Sequence, residues 1–178
     1  ISKIFTTFYP VMIVGAVASL IGFQRFKRTE EGVKTIDKIK LKLPVLGAIF
    51  TLSILDEITR TLSLLISSGA SIIDSLTITS NVADNYWYRN AILSSSALVE
   101  KGVPLSDALI VQKIFPPMVI QMVRVGESTG RIDESLLKIS EYFERDLDIK
   151  VRTLTSAIEP ILIIFLGISV AFLILSVI

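Results

Sequence analysis

The sequence contains neither cysteine nor histidine, and these two absences exclude several kinds of site. Without cysteine there is no disulfide framework, no thiolate nucleophile and no thiolate metal ligand. Without histidine the chain lacks the usual general base near neutral pH and the commonest metal ligand. We therefore expect no catalytic residue, no metal site and no cofactor-binding site.

The chain also lacks an excess of charge of either sign. It has 18 Lys and Arg against 17 Asp and Glu, a net charge of +1, so no overall field favours nucleic acid. Hydrophobic residues make up 51% of the sequence, and a mean hydropathy of +0.67 is high for a soluble domain. The apolar excess lies at the two ends, and the middle, residues 25–159, is long enough for one helical domain with a core.

Two uncharged runs lie at these ends, Ile4 to Gln24 and Pro160 to Ile178. They hold about 21 and about 19 residues, close to what a ~30 Å hydrocarbon layer requires. The alternatives for the first run are a signal-peptide core, disfavoured by its length and missing cleavage motif, and a buried soluble helix, disfavoured by the absence of charge. We predict transmembrane helices at residues 1–24 and 160–178, and expect the chain to be a fragment of a longer membrane protein.

The basic residues next to these runs predict the orientation. Arg25, Lys27 and Arg28 follow the first run, Lys150 and Arg152 precede the second, and Lys3 alone lies on the other side. Because Lys and Arg near a span stay in the cytoplasm, both spans place residues 25–159 there.

Apolar spacing and helix-stop signals predict an all-α domain between the spans. Gly69 and Gly102 are predicted to end helices, and Ser71 to start one. Thr and Ile around residues 72–79 could suggest a strand, but the helix stops on either side disfavour it. We predict an antiparallel bundle of about six helices, with helices over residues 29–42, 49–68, 72–82, 86–101, 105–111, from Phe115-Pro116-Pro117 to about Gly126, and from about Ile132 onward.

The segment Gly126-Glu127-Ser128-Thr129-Gly130 is the most distinctive part of the domain. A phosphate-binding loop is disfavoured, because the Gly-Lys-Ser/Thr ending and a preceding strand are missing and Glu127 would repel phosphate. The segment instead predicts a corner between two helices, with Gly130 at positive φ and Ser128 or Thr129 capping the next helix. Glu127 either only belongs to this corner or also buttresses the domain or contacts a partner.

Glu159 and Pro160 mark the predicted start of the second span. A carboxylate at this depth is either in water at the interface or in a buried contact with another helix or a partner. Pro160 removes one backbone donor and can bend the helix.

The charged residues between Asp133 and Arg152 are interpreted as a solvated helix face, with a docking surface for a motor as the alternative. Tyr86-Trp87-Tyr88 are expected to pack in the core or at its rim.

Five segments resemble, in order, the F domain of type II secretion systems, a family that includes inner-membrane platform proteins of type IV pilus machines. They are 64–72, 100–109, Phe115-Pro116-Pro117, 125–130 and Glu159-Pro160. The chain resembles the second half of such a protein: a middle span, a second cytoplasmic domain and a last span.

This resemblance implies a non-catalytic platform in the bacterial inner membrane, with several spans and the helical domain in the cytoplasm. The implied partners are a cytoplasmic assembly ATPase, pilins or pseudopilins, other inner-membrane assembly proteins, membrane lipids and further copies of itself, without nucleic acid. The candidate structural or partner-contact residues are Gly69, Gly102, Gly126, Glu127, Gly130, Glu159 and Pro160.

Two other classes remain as alternatives. Half of a transporter or permease-like protein would place Glu159 on a substrate or proton path, but apart from Gln24 at the edge of the first run the runs offer only Ser, Thr and Tyr as further polar groups. A membrane enzyme would need a nucleophile and base, and no such pair is evident.

Overall fold

A computed structural model describes residues 29–177 of the chain. The predicted span at residues 1–24 and the basic residues Arg25, Lys27 and Arg28 lie outside this range. The described part contains α-helices and no strand, which confirms the all-α fold class. Its helices are α1 (Glu30–Lys42), α2 (Leu46–Ser67), α3 (Ile72–Val82), α4 (Tyr86–Glu100), α5 (Leu105–Gln112), α6 (Pro117–Thr129) and α7 (Ile132–Val177).

Local capping explains where three of the helices begin. Thr29 accepts a hydrogen bond from the Gly32 N–H at 3.2 Å, and Ser71 accepts one from the Asp74 N–H at 3.1 Å. The Asn85 side chain accepts from the Trp87 N–H at 3.0 Å. Each oxygen satisfies a backbone donor that the first helical turn leaves without a partner. The starts predicted at residues 72 and 86 are therefore confirmed.

The connection between α1 and α2 is tighter than the sequence predicts. We expected the second helix to begin at Ile49, but it begins at Leu46. The Leu46 N–H donates to the Pro44 carbonyl at 2.8 Å, and Val45 between them has φ 66° and ψ −57°. This is a γ-turn of the rare, strained kind. It reverses the chain within three residues, so α2 gains an extra turn at its start.

The core lies around an antiparallel pair, α2 and α7, which make the most extensive contact between helices. The Ser63 hydroxyl donates to the Asp133 carbonyl at 2.8 Å near the start of α7, and Arg60 donates to Glu144 at 2.8 Å further along. The core also contains fully buried apolar side chains from both helices and from their neighbours. Those with at most 1% exposure include Leu55, Leu76, Ile92, Val123, Leu136 and Ile139.

α7 continues without interruption from the bundle into the apolar run. It has 46 residues, about 69 Å at 1.5 Å per residue, and contains Pro160 in its interior. From the sequence we predicted a domain that ends at Glu159 and a span that starts at Pro160. In the structure the backbone forms one helix across this point. Among the helices that the structure describes, α7 is the one whose length and apolar composition are sufficient to cross a membrane.

Candidate functional site at the Glu127 corner

Glu127 joins the end of α6 to the start of α5. One carboxylate oxygen accepts a hydrogen bond from the Leu105 N–H. The other accepts from the Ser106 N–H at 3.1 Å and from the Ser106 hydroxyl at 2.5 Å. The carboxylate therefore lies over the first turn of α5. Glu127 itself belongs to α6 and comes more than twenty residues after Leu105 in the chain.

The sequence explains why α5 needs this partner. The residue before α5 is Pro104, which has no side-chain oxygen to cap the helix and makes no such hydrogen bond. The first N–H groups of a helix carry partial positive charge, so a carboxylate stabilises them better than a neutral acceptor. Glu127 supplies the missing N-cap from another helix. These hydrogen bonds fit the interpretation that Glu127 buttresses the domain, which the sequence left open beside a role in the corner alone or in a partner contact.

Gly126 lies inside α6 and is in close contact with α7. A Cβ atom at this position would lie 2.9 Å from the Ile132 Cα and 2.9 Å from the Ser135 hydroxyl oxygen. No side chain fits against backbone at such a distance. Gly126 is thus required for the close approach of α6 and α7, rather than for ending α6 as we predicted from the sequence.

The end of α6 corrects two further expectations. The helix continues to Thr129, beyond the predicted stop at Gly126 or Glu127. Ser128 and Thr129 do not cap α7; their hydroxyls donate back to the Val125 carbonyl at 2.9 and 2.8 Å. Such backward bonds satisfy a carbonyl in the last turn of α6. The helix ends three residues later than the predicted stop at Gly126.

Gly130 makes the turn from α6 to α7. It has φ 68°, the left-handed conformation that the sequence predicted. The Arg131 N–H donates to the Gly126 carbonyl at 2.9 Å and the Gly130 N–H to the Glu127 carbonyl at 3.4 Å, the two bonds of a Schellman motif. These two N–H groups are consequently engaged with carbonyls and do not form an anion-binding nest.

The other two candidate glycines occupy equivalent turns. Gly69 follows α2 and Gly102 follows α4, with φ of 89° and 86°. Gly102 leads through Pro104 into α5, so its turn helps to place the N–H groups that Glu127 accepts from. Gly69 belongs to a separate turn, between α2 and α3. The structure therefore brings Gly102, Gly126, Glu127 and Gly130 to one region of the bundle and leaves Gly69 outside it.

Pro160 lies within α7, and the side chain of Glu159 is outside the part that the structure describes. Neither of the two interpretations of Glu159 is therefore tested by contacts. The large apolar side chains around them on α7, such as Leu162, Phe165 and Leu166, are more than half exposed.

A second carboxylate, which the sequence did not single out, caps another helix from a distance. Asp37 on α1 is buried and accepts a hydrogen bond from the Tyr86 N–H at 2.9 Å, at the start of α4. The Trp87 indole N–H donates to the Lys34 carbonyl at 3.3 Å, and the Lys34 ammonium lies 4.8 Å from the centre of the Tyr86 ring. Tyr86 and Trp87 at the start of α4 therefore hold α1 against the bundle. This agrees with the expectation that the aromatic residues pack in the core or at its rim.

The charged residues of α7 are mostly at the surface, and one of them connects to α2. The hydrogen bond to Glu144 raises the pKa of the Arg60 guanidinium, and Arg60 also pairs with Asp56 at 3.0 Å. Burial raises the pKa of the Asp56 carboxyl despite this partner. Burial also raises the pKa of Glu57, and the charges of Asp84 and Asp56 add to the effect. This cluster links the two central helices.

The described residues thus form a helical bundle whose last helix continues as an apolar segment of membrane-spanning length, the architecture of a membrane-anchored helical domain. The family model for protein F of the type II secretion system (T2SS) matches residues 58–178. The chain belongs to this family, which confirms the resemblance.

Several curated relatives are similar over most of the chain. A type IV pilus assembly protein PilC from Thermus thermophilus is 37% identical over 93% of this chain and 41% of its own length. A PilC from Pseudomonas aeruginosa is 33% identical over 99% of this chain and 47% of its own. A type II secretion system protein F from the same organism is 27% identical over 92% and 40%. The chain spans less than half the length of these relatives.

Proposed function

We propose that this chain is part of a non-catalytic platform in the bacterial inner membrane. It couples a cytoplasmic assembly ATPase to the polymerisation of pilins or pseudopilins, in type IV pilus biogenesis or type II secretion. The names of the relatives support this class of machine. In this proposal residues 1–24 and 160–178 span the membrane, and the bundle of residues 25–159 lies in the cytoplasm.

The observation that carries the proposal is the continuity of α7. One helix runs from the Gly130 turn, through the centre of the bundle, into the apolar run. Because a helix resists bending along its axis, displacement of the bundle is transmitted to the membrane segment. The corner of Gly126, Glu127 and Gly130 fixes the start of this helix against α5 and α6. The site is therefore mechanical rather than chemical.

The exposed side of α7 within the bundle is the surface proposed to meet the ATPase. Tyr142 is 50% exposed and packs edge-on against Phe143, with ring centres 5.6 Å apart. Lys138 and Arg145 lie on the same face, four residues before and three residues after it, and both are exposed, as is the neighbouring Glu141. Tyrosine and arginine are the residue types that most often dominate binding at protein interfaces. A charged rim around a half-exposed aromatic ring fits a transient protein contact.

Photo-crosslinking in the bacterium that makes the protein tests this surface. A photoreactive phenylalanine analogue replaces Tyr142, and as a control it replaces Trp87, another surface aromatic residue with 39% exposure. We expect a crosslink to the assembly ATPase from position 142 and not from position 87. A crosslink from position 87 alone would move the docking surface to α4, and ATPase contact from neither position would contradict the proposed coupling through these faces.

A further inference from the structure

The turn between α1 and α2 presents an unusual apolar surface. Leu43, Pro44, Val45 and Leu46 are consecutive and all exposed, with Val45 at 62% and Leu46 at 42%. Runs of this kind are rare on surfaces that face water, and contiguous apolar patches usually mark a contact. The turn is fixed by the Leu46 to Pro44 hydrogen bond, so these side chains are held outward.

The same turn lines a groove against α7. Val45 and Ala48 form one wall, and the other includes Ile149, Leu154 and Ala157, enclosing about 460 Å³. Ala157 precedes Pro160 by about 4.5 Å along the helix axis and Leu154 by about 9 Å, at 1.5 Å per residue. The layer of lipid headgroups is about 5–8 Å thick on each side of the hydrocarbon core. The end of the groove at Ala157 therefore lies at the height of the headgroups if the membrane begins at the apolar run, and the end at Ile149, about 16.5 Å from Pro160, lies on the cytoplasmic side of them.

Basic residues lie beside this surface. Lys42 and Arg152 are exposed, and neither forms an ion pair with another residue in the part of the chain that the structure describes. Lysine and arginine near a membrane surface are attracted to anionic headgroups, while apolar neighbours enter the acyl boundary. The pattern of apolar turn and flanking cations matches the chemistry of an anionic lipid surface.

We propose that the turn of residues 43–46 is a second membrane contact of the described residues, besides the apolar part of α7, and inserts into the cytoplasmic lipid surface beside α7. Val45 and Leu46 reach the acyl boundary, and Lys42 and Arg152 bind anionic headgroups. This inference rests on the proposed membrane span of α7. Its consequence is that the bundle contacts the bilayer at this turn in addition to the proposed spans, which restricts how the bundle can tilt.

Single spin labels in the full chain, reconstituted in vesicles of phosphatidylglycerol and phosphatidylethanolamine, test the proposal. The chain has no cysteine, so each introduced cysteine is labelled alone. The test positions are Val45 and Leu46. The controls are Leu64, with the same 62% exposure as Val45, and Leu137, with 41% against 42% for Leu46. Both controls lie far along α2 and α7 from the proposed membrane surface.

The readout is collision of each label with oxygen, which concentrates in lipid, and with a water-soluble nickel chelate. We expect the ratio of oxygen to nickel accessibility to be several-fold higher at Val45 and Leu46 than at Leu64 and Leu137. Replacing the phosphatidylglycerol by phosphatidylcholine should reduce this difference. Aqueous behaviour at all four positions would overturn the proposal. Shielding of Val45 and Leu46 from both reagents would also overturn it, because protein would then cover the turn, either a second copy or residues 1–28.

A label at Ile168 separates this proposal from the one on which it rests. Ile168 lies in the apolar part of α7 and is 64% exposed. Lipid accessibility at Ile168 with aqueous labels at Val45 and Leu46 rejects the second contact alone. Aqueous behaviour at Ile168 rejects the membrane span itself.

Discussion

The Glu127 carboxylate accepts hydrogen bonds from both the N–H and the hydroxyl of Ser106, at 3.1 and 2.5 Å. This pair ties the last turn of α6 to the first turn of α5. Since Arg131 closes the turn into α7 by bonding to the Gly126 carbonyl, three helices meet within a few residues. The most distinctive part of the sequence is therefore the place where the bundle is fixed to its longest helix.

Replacing Glu127 by glutamine should destabilise the domain. Three donors share the two carboxylate oxygens, and glutamine turns one oxygen into an NH2 group that faces donors. We expect a loss of about 1–3 kcal/mol in the free energy of unfolding, the cost of a buried donor without an acceptor. Thermal unfolding of the full chain in detergent, followed by circular dichroism, measures it. Glu134→Gln is the control, because in the described part of the chain Glu134 pairs with the exposed Arg131, and it should change stability by less than about 0.5 kcal/mol. Equal stability of the two variants would show that the Glu127 cap contributes nothing.

Replacing Gly126 by alanine should destabilise the contact between α6 and α7. Alanine normally stabilises a helix interior by about 0.5–1 kcal/mol relative to glycine. Here the added Cβ would meet the Ile132 Cα at 2.9 Å, and backbone cannot move aside as a flexible side chain does. We expect a net loss of about 1–3 kcal/mol, typical of overpacking.

Gly167 provides the matched control for this variant. It also lies inside a helix, α7, but a Cβ there would meet nothing within 4 Å. Gly167→Ala should leave the melting temperature of the detergent-solubilised chain unchanged or slightly raised. A Gly126→Ala protein that is as stable as Gly167→Ala would mean that the helices separate without cost.

Gly130 should tolerate asparagine far better than valine. Its φ of 68° is accessible to asparagine, whereas a β-branched side chain is strained there. A Cβ at this position meets nothing within 4 Å, so the difference arises from the backbone alone. We expect valine to cost about 1–3 kcal/mol, the scale of a strained backbone residue. The melting temperatures of the two variants give the comparison, and equal values would exclude a conformational role for Gly130.

The purified chain should neither bind nor hydrolyse ATP. The N–H groups of Gly130 and Arg131 are bonded to carbonyls, and Glu127 places negative charge beside the turn. A phosphate group would therefore meet a carboxylate rather than free donors. Isothermal titration calorimetry with Mg-ATP should show no saturable heat. Saturable binding would contradict the non-catalytic role, and the Glu127→Gln variant would then show whether the corner is the site.

Much of the local structure can be predicted from the sequence because its causes are local. Ser71 and Asn85 each bond to an N–H within three residues, and Gly69 and Gly102 end their helices by their own backbone freedom. The partner of Glu127 could not be predicted, because Leu105 and Ser106 become neighbours only when α5 folds back against α6. For the same reason Asp37 gave no signal of its contact with Tyr86.

The continuity of the helix across Pro160 could not be predicted from the sequence for a related reason. Proline removes one N–H from the helix ladder, which is a local signal for a break. The backbone nevertheless remains helical on both sides, so the cost of one lost hydrogen bond does not end α7. A helix that is continuous over 46 residues is the basis of the proposed coupling.

The most direct test of the account interrupts α7 between the bundle and the apolar run. Seven alanines, about two helical turns, are inserted after Ile158 in the protein within its own bacterium, and seven glycines are inserted at the same point as the matched variant. Both proteins should reach the membrane at equal levels. The account predicts that filament assembly or secretion continues with the alanine insertion and is lost with the flexible glycine insertion. Normal assembly with the glycine insertion would contradict the claim that α7 transmits motion from the bundle to the membrane.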